Sequence, residues 1–327
     1  METTPILFVP PNVSEDLKTA LKQRARELGF VACGVASAGP SQSTSRLETW
    51  LNNNFEANMG WMKRPDAVEK RADVRKLFPG AETVLSLAFP YATDTQWDSE
   101  EMGNIARYAR GIDYHDFLPG RLRELLAWIQ SRVECNGKVC VDTAPVLERE
   151  WAVRAGIGWI GKNTLLMSRD FGSYVLLGEI ILDTVIEPDQ AHIESFCGNC
   201  TRCLDACPTN ALIEPRVLDS NKCIAFHTIE NRTLAPKDVR AQFQDWVFGC
   251  DICQQVCPWN GKAARDGKFS TEVELWTRPE MPSLEEWTSL EQSEFSRRLK
   301  GSPIKRTKRR GMKRNAARAL KNRRDKK

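Results

Sequence analysis

Eight of the eleven cysteines stand in short, regular spacings between residues 197 and 257, and nothing else constrains this 327-residue chain so strongly. The run CGNCTRCLDACP sets Cys197, Cys200, Cys203 and Cys207 at C-x2-C-x2-C-x3-C and ends on Pro208. A second run, CDICQQVCPWN, carries Cys250, Cys253, Cys257 and Pro258. Val247 stands where a complete second run would have its first cysteine, and Cys223, between the runs, makes up the count. Two-residue spacings let three thiolates wrap a four-iron cluster from one tight loop, while the fourth cysteine, on the helix that follows, ligates a second cluster. The eight ligands then divide into Cys197, Cys200, Cys203 and Cys257 for one [4Fe–4S] cluster and Cys207, Cys223, Cys250 and Cys253 for the other. A pair of zinc sites is the competing reading. Zinc takes separate C-x2-C pairs that close a tetrahedral shell, which leaves both C-x3-C-P endings unexplained.

The spacing predicts a module of the bacterial ferredoxin kind over residues 191–262, in effect a short electron wire. Residues 1–190 are far more than a wire needs, and they alternate between two periodicities. SEDLKTALKQRARELG reads as a helix capped by Ser14, with apolar side chains at Leu17, Ala20, Leu21, Ala25 and Leu28 and a stop at Gly29. DYHDFLPGRLRELLAWIQSRVE and APVLEREWAVRAG read as amphipathic helices, and FVACGVAS, TVLSLAFP, KVCVD and YVLLGEIIL as strands. The expected fold class is α+β, with a third segment over 263–327 that is charged and helical. Cys33, Cys135 and Cys140 lie outside the runs, in apolar or helical contexts, and read as inert thiols.

Composition removes several classes. A 41% hydrophobic content with 13 Phe and 10 Trp is not that of a disordered chain. No stretch approaches the ~18 apolar residues of a membrane-spanning helix. The opening METTPILFVPPNVSEDL has no basic region and its apolar run is broken by prolines, so no secretory signal is expected. A cytoplasmic setting follows, and with it cysteines that serve metal rather than disulfides. The net charge of +4 hides an asymmetry. Residues 297–327 hold sixteen Lys and Arg against one acid, Asp325, a net of +15, so the rest of the chain carries −11. A basic end suits a polyanionic partner through counterion release, and a solvated, partly frayed tail is the plainer alternative.

Two phosphate motifs are decoys. Gly156, Gly158 and Gly161 fit G-x-G-x-x-G, and Gly156 to Lys162 fits G-x-x-x-x-G-K. Both need a strand before the glycines and a helix after them. Here a helix precedes and the strand-like TLLM follows, and Asn163 replaces the hydroxyl that would meet Mg²⁺. The glycines are expected to cap a helix and to let the backbone approach a flat ligand. Only three histidines occur (His115, His192 and His227), which argues against a His-based metal centre. Asp142, an acid at the end of KVCV beside a Thr-Ala-Pro turn, reads either as a functional acid or as a cap for the following helix.

The segments VDTAPVLEREWAVRAGIGWIGKNTLLM, FGSYVLLGEIILD, CGNCTRCLDACPTNALIEP, KCIAFHTIE, GCDICQQVCPWN and IARYARGIDYHDFLPGRL together resemble the epoxyqueuosine reductases, from about residue 14 to 322. That family completes queuosine at the wobble position of tRNA, and it is similar to the reductive dehalogenases. The resemblance implies a cobalamin-binding α/β domain, a two-[4Fe–4S] ferredoxin-like domain and a short basic helical C-terminus. It implies Asp142 as proton donor. It places Ile105, Tyr108, Leu166, Leu177, Ser220, Cys250 and Asp251 around the cobalamin, and Ile224 and His227 toward the tRNA. Many members continue into helical repeats after a segment like GSPIKRTKRRGMKRNAARALKN, close to which this chain stops. The implied partners are epoxyqueuosine-bearing tRNA and an external electron donor, and the chain is expected to act as a monomer without a membrane.

Two rival functions remain. One is a dehalogenase-like corrinoid reductase acting on a small molecule, against which stand the +15 terminus and the lack of an export signal. The other is a non-enzymatic electron carrier, for which the first 190 residues are too large.

Overall fold

The computed structural model describes residues 11–324 except 94–96, 193, 271 and 277–280, and the side chains of 11–15 lie outside that description. In its first region the elements run α1 (Pro11–Glu27), β1 (Ala32–Ser37), α2 (Thr44–Asn52), α3 (Pro65–Ala72), β2 (Thr83–Pro90), α4 (Ser99–Met102) and β3 (Asn104–Ile105). They continue with α5 (Tyr114–Gln130), β4 (Gly137–Cys140), α6 (Glu148–Arg154), β5 (Trp159–Ile160), β6 (Leu166–Met167) and β7 (Val175–Leu182). Helix α1 begins three residues before Ser14, so Ser14 is not its cap; its side chain is outside the described residues.

Strands β1, β2, β7 and β4 form one sheet in that order, every pair antiparallel. This makes the region α+β. Alternation along β2 sends Leu85, Leu87 and Phe89 to one face, where they meet Leu118, Leu122, Leu125 and Ile129 of α5 together with Leu21 of α1. Val84, on the other face, meets Trp151 of α6, Ile181 and Cys140. Both faces of the sheet are therefore covered, which is why its central strands read as continuous apolar runs. Gly156 ends α6 at φ +75°, as a helix stop requires. At Gly158 the close backbone approach is to the chain itself, since a Cβ there would lie 2.0 Å from the Met167 carbonyl oxygen.

The cysteine module follows as α7 (Arg202–Asp205), β8 (Leu212–Glu214), β9 (Val217–Leu218), α8 (Ile224–Ile229), α9 (Lys237–Ala241), β10 (Trp246–Phe248), α10 (Ile252–Gln255) and α11 (Pro258–Arg265). It does not stand apart. Strand β10 pairs in parallel with β3, and Ser173, just before β7, donates its N–H to the Asn260 side chain of α11 (2.7 Å). The last segment is α12 (Leu284–Ser289), α13 (Gln292–Arg298) and α14 (Lys308–Arg324).

Helix α14 is a structural element, not a frayed tail. Met312, Asn315, Ala316 and Ala319 recur at helical spacing and are all buried. They pack with Leu284, Trp287 and Leu299 onto Ile105, Val247 and Phe248, so one core joins all three segments. The Asn315 side-chain amide donates to the carbonyls of Thr228 (2.9 Å) and Val247 (2.8 Å). Arg314 donates to the carbonyls of His227 and Asn231 (2.8 Å each), serving acceptors that the end of α8 leaves open. Asp325 and the two lysines after it lie outside the described residues. Deleting residues 297–327 would open this core, so charge reversal rather than truncation probes the basic end. Met312→Ala should cost about 2–5 kcal/mol in chemical denaturation, the usual range for a fully buried methionine, and a loss below ~1 kcal/mol would show that α14 does not hold the core.

Candidate active site and cluster cradle

The eight cysteines of the two runs are brought together by three short helices and the loops before them. Cys203 feels Cys197 and Cys257, and Cys257 feels Cys197 and Cys200, which groups these four. Cys223 feels Cys207, and Cys250 feels Cys223 and Cys253, which groups the other four. Cys253 also feels Cys203 of the first set, so the two sets abut. Cys197, Cys200, Cys203 and Cys257 line one pocket together, a set of four thiols of the kind that holds a four-iron cluster.

Donors surround the sulfurs as a cluster's negative charge needs. Trp159 Nε1 points at Cys197 Sγ (3.5 Å) and the Ala211 N–H at Cys207 Sγ (3.3 Å). Lys162, the lysine of the false phosphate motif, donates to the carbonyls of Gly198 (2.8 Å) and Cys200 (2.9 Å) and so clamps the first cluster loop. The three remaining cysteines behave as expected: burial pushes the Cys33 and Cys140 thiols up to about 12 and raises that of Cys135.

Asp142 follows β4 at φ +50°, in the left-handed region that costs a residue with a Cβ. The Thr143 N–H donates to the Val141 carbonyl (2.5 Å), closing a three-residue turn with Asp142 at its tip. The Asp142 side chain is 57% exposed and receives His115 Nε2 at 3.2 Å, while its N–H donates to the Glu148 carboxylate (2.7 Å). The helix-cap alternative is not realised, since α6 starts after Leu147 with no side-chain cap.

Asp142 lines a cleft of about 550 Å³ together with Tyr114, Glu148, Arg149, Leu165, Leu166, Ser173, Val175, Leu176 and Leu177. Three sequence-derived positions, Asp142, Leu166 and Leu177, thus share one cavity. Tyr108 is half-buried beside it, edge-on to Tyr114 (6.2 Å between centroids) and near Phe248 of the cysteine module. Asp251 is buried and accepts from the Arg107 N–H (2.7 Å), next to Tyr108. Ile105 is fully buried in the core joining the three segments. Ser220 is buried, with its carbonyl accepting from the half-buried Cys223, and Cys250 is half-buried near Cys223 and Cys253.

The tRNA-facing roles of Ile224 and His227 need correction, because neither side chain reaches the surface. Ile224 packs against Ala235, Phe243 and Trp246. The His227 ring is held at both nitrogens, by the Asn221 carbonyl (2.7 Å) and the Asn231 side-chain amide (2.9 Å), and burial lowers its basicity.

Sequence reading missed His115, Asp113 and Glu148. Asp113 caps α5 through the His115 N–H, and its Oδ1 also takes His115 Nδ1 (2.8 Å). The imidazole is thus clamped between two carboxylates, which raise its pKa to about 9. Burial pushes the Glu148 carboxyl up, to about 7, with the nearby Asp142 charge adding to the rise. The signal was the DYHD run itself, an N-cap acid two residues before a scarce histidine.

A family model described as a 4Fe–4S double cluster binding domain matches residues 196–260, and one described as Epoxyqueuosine reductase QueG, DUF1730, matches 71–143. The epoxyqueuosine reductase of Gloeobacter violaceus is 42% identical over 306 residues, covering 92% of this chain and 94% of that protein. That of Cyclobacterium marinum is 40% identical over 300 residues, covering 90% and 94%. A crystal structure of epoxyqueuosine reductase with a tRNA-Tyr epoxyqueuosine-modified stem loop superposes with a TM-score of 0.84 at 32% identity, covering 94% of this chain and 81% of that one. The Bacillus subtilis enzyme, solved with its catalytic aspartate loop swung out of the active site, gives 0.83 at 30% identity over 94% of this chain and 82% of that one. The chain belongs to the epoxyqueuosine reductase family.

Proposed function

We propose that this chain reduces epoxyqueuosine in tRNA to queuosine, with Asp142 as proton donor in a cobalamin cleft supplied with electrons by two [4Fe–4S] clusters. The observation that carries the reading is the placement of Asp142: an exposed acid on a strained turn, at the wall of a cleft that abuts the cysteine module. Leu165, Leu166, Val175, Leu176 and Leu177 offer the apolar wall that a flat macrocycle needs. Bound clusters carry single electrons, and bound cobalamin supplies a low-valent cobalt that is both reductant and nucleophile.

The chain's own residues position the substrate and move protons. Opening an epoxide leaves an oxygen anion, which is a poor leaving group until an acid protonates it. Asp142 would supply that proton, with His115 at its carboxylate and Glu148 at its N–H. A dehalogenase-like role on a small molecule is disfavoured by the basic helix, which exposes Lys308, Arg310, Lys313, Lys321 and Arg324. Such a row suits phosphates. Other cations of this segment are engaged in the fold, Arg323 by Asp245 and Arg306 by Glu230. The loop around the first cluster, with Gly198, Asn199, Thr201 and Arg202 exposed, is where an external one-electron donor would meet a monomeric enzyme working in the reducing cytoplasm.

Asp142→Asn should slow single-turnover conversion by chemically reduced holoenzyme by about 10²–10⁴-fold, with iron, cobalamin and tRNA binding retained. Near-normal conversion would remove Asp142 from the donor role.

Cys223→Ser should reduce the iron content of reconstituted protein from about eight to about four atoms, because it removes one ligand of a single cluster. Unchanged iron and an unchanged spectrum would sink the ligand assignment.

The triple charge reversal Lys308→Glu, Arg310→Glu and Lys313→Glu should weaken tRNA binding and flatten the slope of log affinity against log salt by about two. An unaltered slope would show that the exposed row does not meet phosphates.

A further inference from the structure

Converting an epoxide to an alkene breaks two C–O bonds, forms one C=C bond and releases the oxygen as water. The change consumes two electrons, which the external donor supplies through the clusters, and two protons. One carboxyl group delivers one proton and must be reloaded before it delivers the second. The Asp142 carboxylate is 57% exposed and has one described side-chain partner, His115 Nε2, at 3.2 Å. The other ring nitrogen of His115 is tied to Asp113 at 2.8 Å, and the ring stacks on Tyr114 with centroids 4.1 Å apart.

We propose that His115 reloads Asp142: the imidazolium passes its Nε2 proton to the Asp142 carboxylate between the two proton transfers of a turnover, while Asp113 holds Nδ1–H. The inference rests on the donor reading of Asp142 and deepens it. After the transfer the ring is neutral, keeps its Nδ1 proton on Asp113, and recovers the Nε2 proton from water, to which the side chain is 35% open. His115 acts through Asp142, so it is a positioning and proton-supplying residue and does not itself touch the epoxide.

The groups facing this pair keep the ring protonated. Asp113 on the same turn and Asp142 across the cleft both stabilise the imidazolium, and their joint effect lifts its pKa to about 9. Glu148 senses both Asp142 and His115. Arg306 senses Asp142 and Tyr114 from the C-terminal segment, but its guanidinium is paired with Glu230 (2.9 and 3.0 Å). A histidine that keeps its proton through neutral pH stands ready beside an acid that spends its own.

The test uses full-length holoenzyme and two readouts. Exchange of the imidazole C2 hydrogen, followed by mass spectrometry, reports the pKa of His115 without any turnover. It should lie well above the ordinary value near 6.5 and fall by at least about one unit in Asp113→Asn and in Asp142→Asn. A wild-type value at or below 6.5 overturns the relay. The second readout is the pH profile of single-turnover conversion after chemical reduction. The wild-type rate should hold to about pH 9 and fall above it, because the relay works only while His115 is protonated. Asp113→Asn should move that fall to lower pH, a shift that mere loss of packing would not produce. His115→Gln keeps a donor toward Asp142 but no proton to give, and should slow conversion about 10²-fold with cobalamin and tRNA binding intact. A fully active His115→Gln enzyme beside an inactive Asp142→Asn enzyme overturns the relay alone. An active Asp142→Asn enzyme overturns the donor reading and the relay with it.

Discussion

A buried carboxylate, Asp251, ties the two functional halves of this molecule together. It stands between Cys250 and Cys253, and it accepts the Arg107 N–H at 2.7 Å and the Gln254 side-chain amide at 3.2 Å. Beside it the Ala106 N–H donates to the Phe248 carbonyl, so the chain before Tyr108 is laced to the cluster module by backbone and side chain together. A buried charge of this kind is costly unless it is hydrogen-bonded and compensated. Here burial raises the Asp251 carboxyl, and a backbone donor with the nearby Arg110 and Arg107 counters only part of that rise. The contact holds the cluster module in place at the cleft. Electron transfer demands a fixed short distance, and a flexible tether between two domains would not provide one.

The C-terminal helix depends on the same junction. Its buried face rests on Ile105, Val247 and Phe248, the residues in and beside the pairing of β3 with β10. The strongly basic composition of residues 297–327 thus hides two uses of positive charge. Arg314 and Arg318 turn inward onto backbone carbonyls of the cluster module, where one guanidinium can serve more than one acceptor. Lys308, Lys313 and Lys321 of the same helix, each with a single compact charge, are exposed. Counting charges along the sequence could not separate these roles, because the division follows which helix face a residue occupies.

Most of the fold was legible before the structure. The runs TVLSLAFP and YVLLGEIIL are β2 and β7 almost to the residue, and the cysteine runs fall in the segment matched by the double-cluster family model. What was not legible involves contacts between distant residues. Nothing local says that β2 pairs with β7 across some ninety residues, or that His227 is buried rather than turned toward a nucleic acid. His115 and Asp142 are 27 positions apart and meet only because α5 and β4 flank the same cleft. The left-handed turn at Asp142 is likewise invisible in a sequence that offers no glycine there.

The carboxylates behind the cleft form a gradient of burial that decides where charge resides. Glu179, in the middle of β7, is fully buried opposite Ser86, and burial drives its carboxyl far up. Glu148, half-buried and nearer the cleft, is raised less, to about 7. Asp142 is the most solvated of the three and the one that faces His115. Burial thus disfavours charge most at the deepest group, while Asp142 at the rim is the carboxyl that His115 Nε2 meets at 3.2 Å. A sheet that buries its own acids in this order leaves the solvated carboxyl at the rim of the cleft, where Asp142 lies 57% exposed.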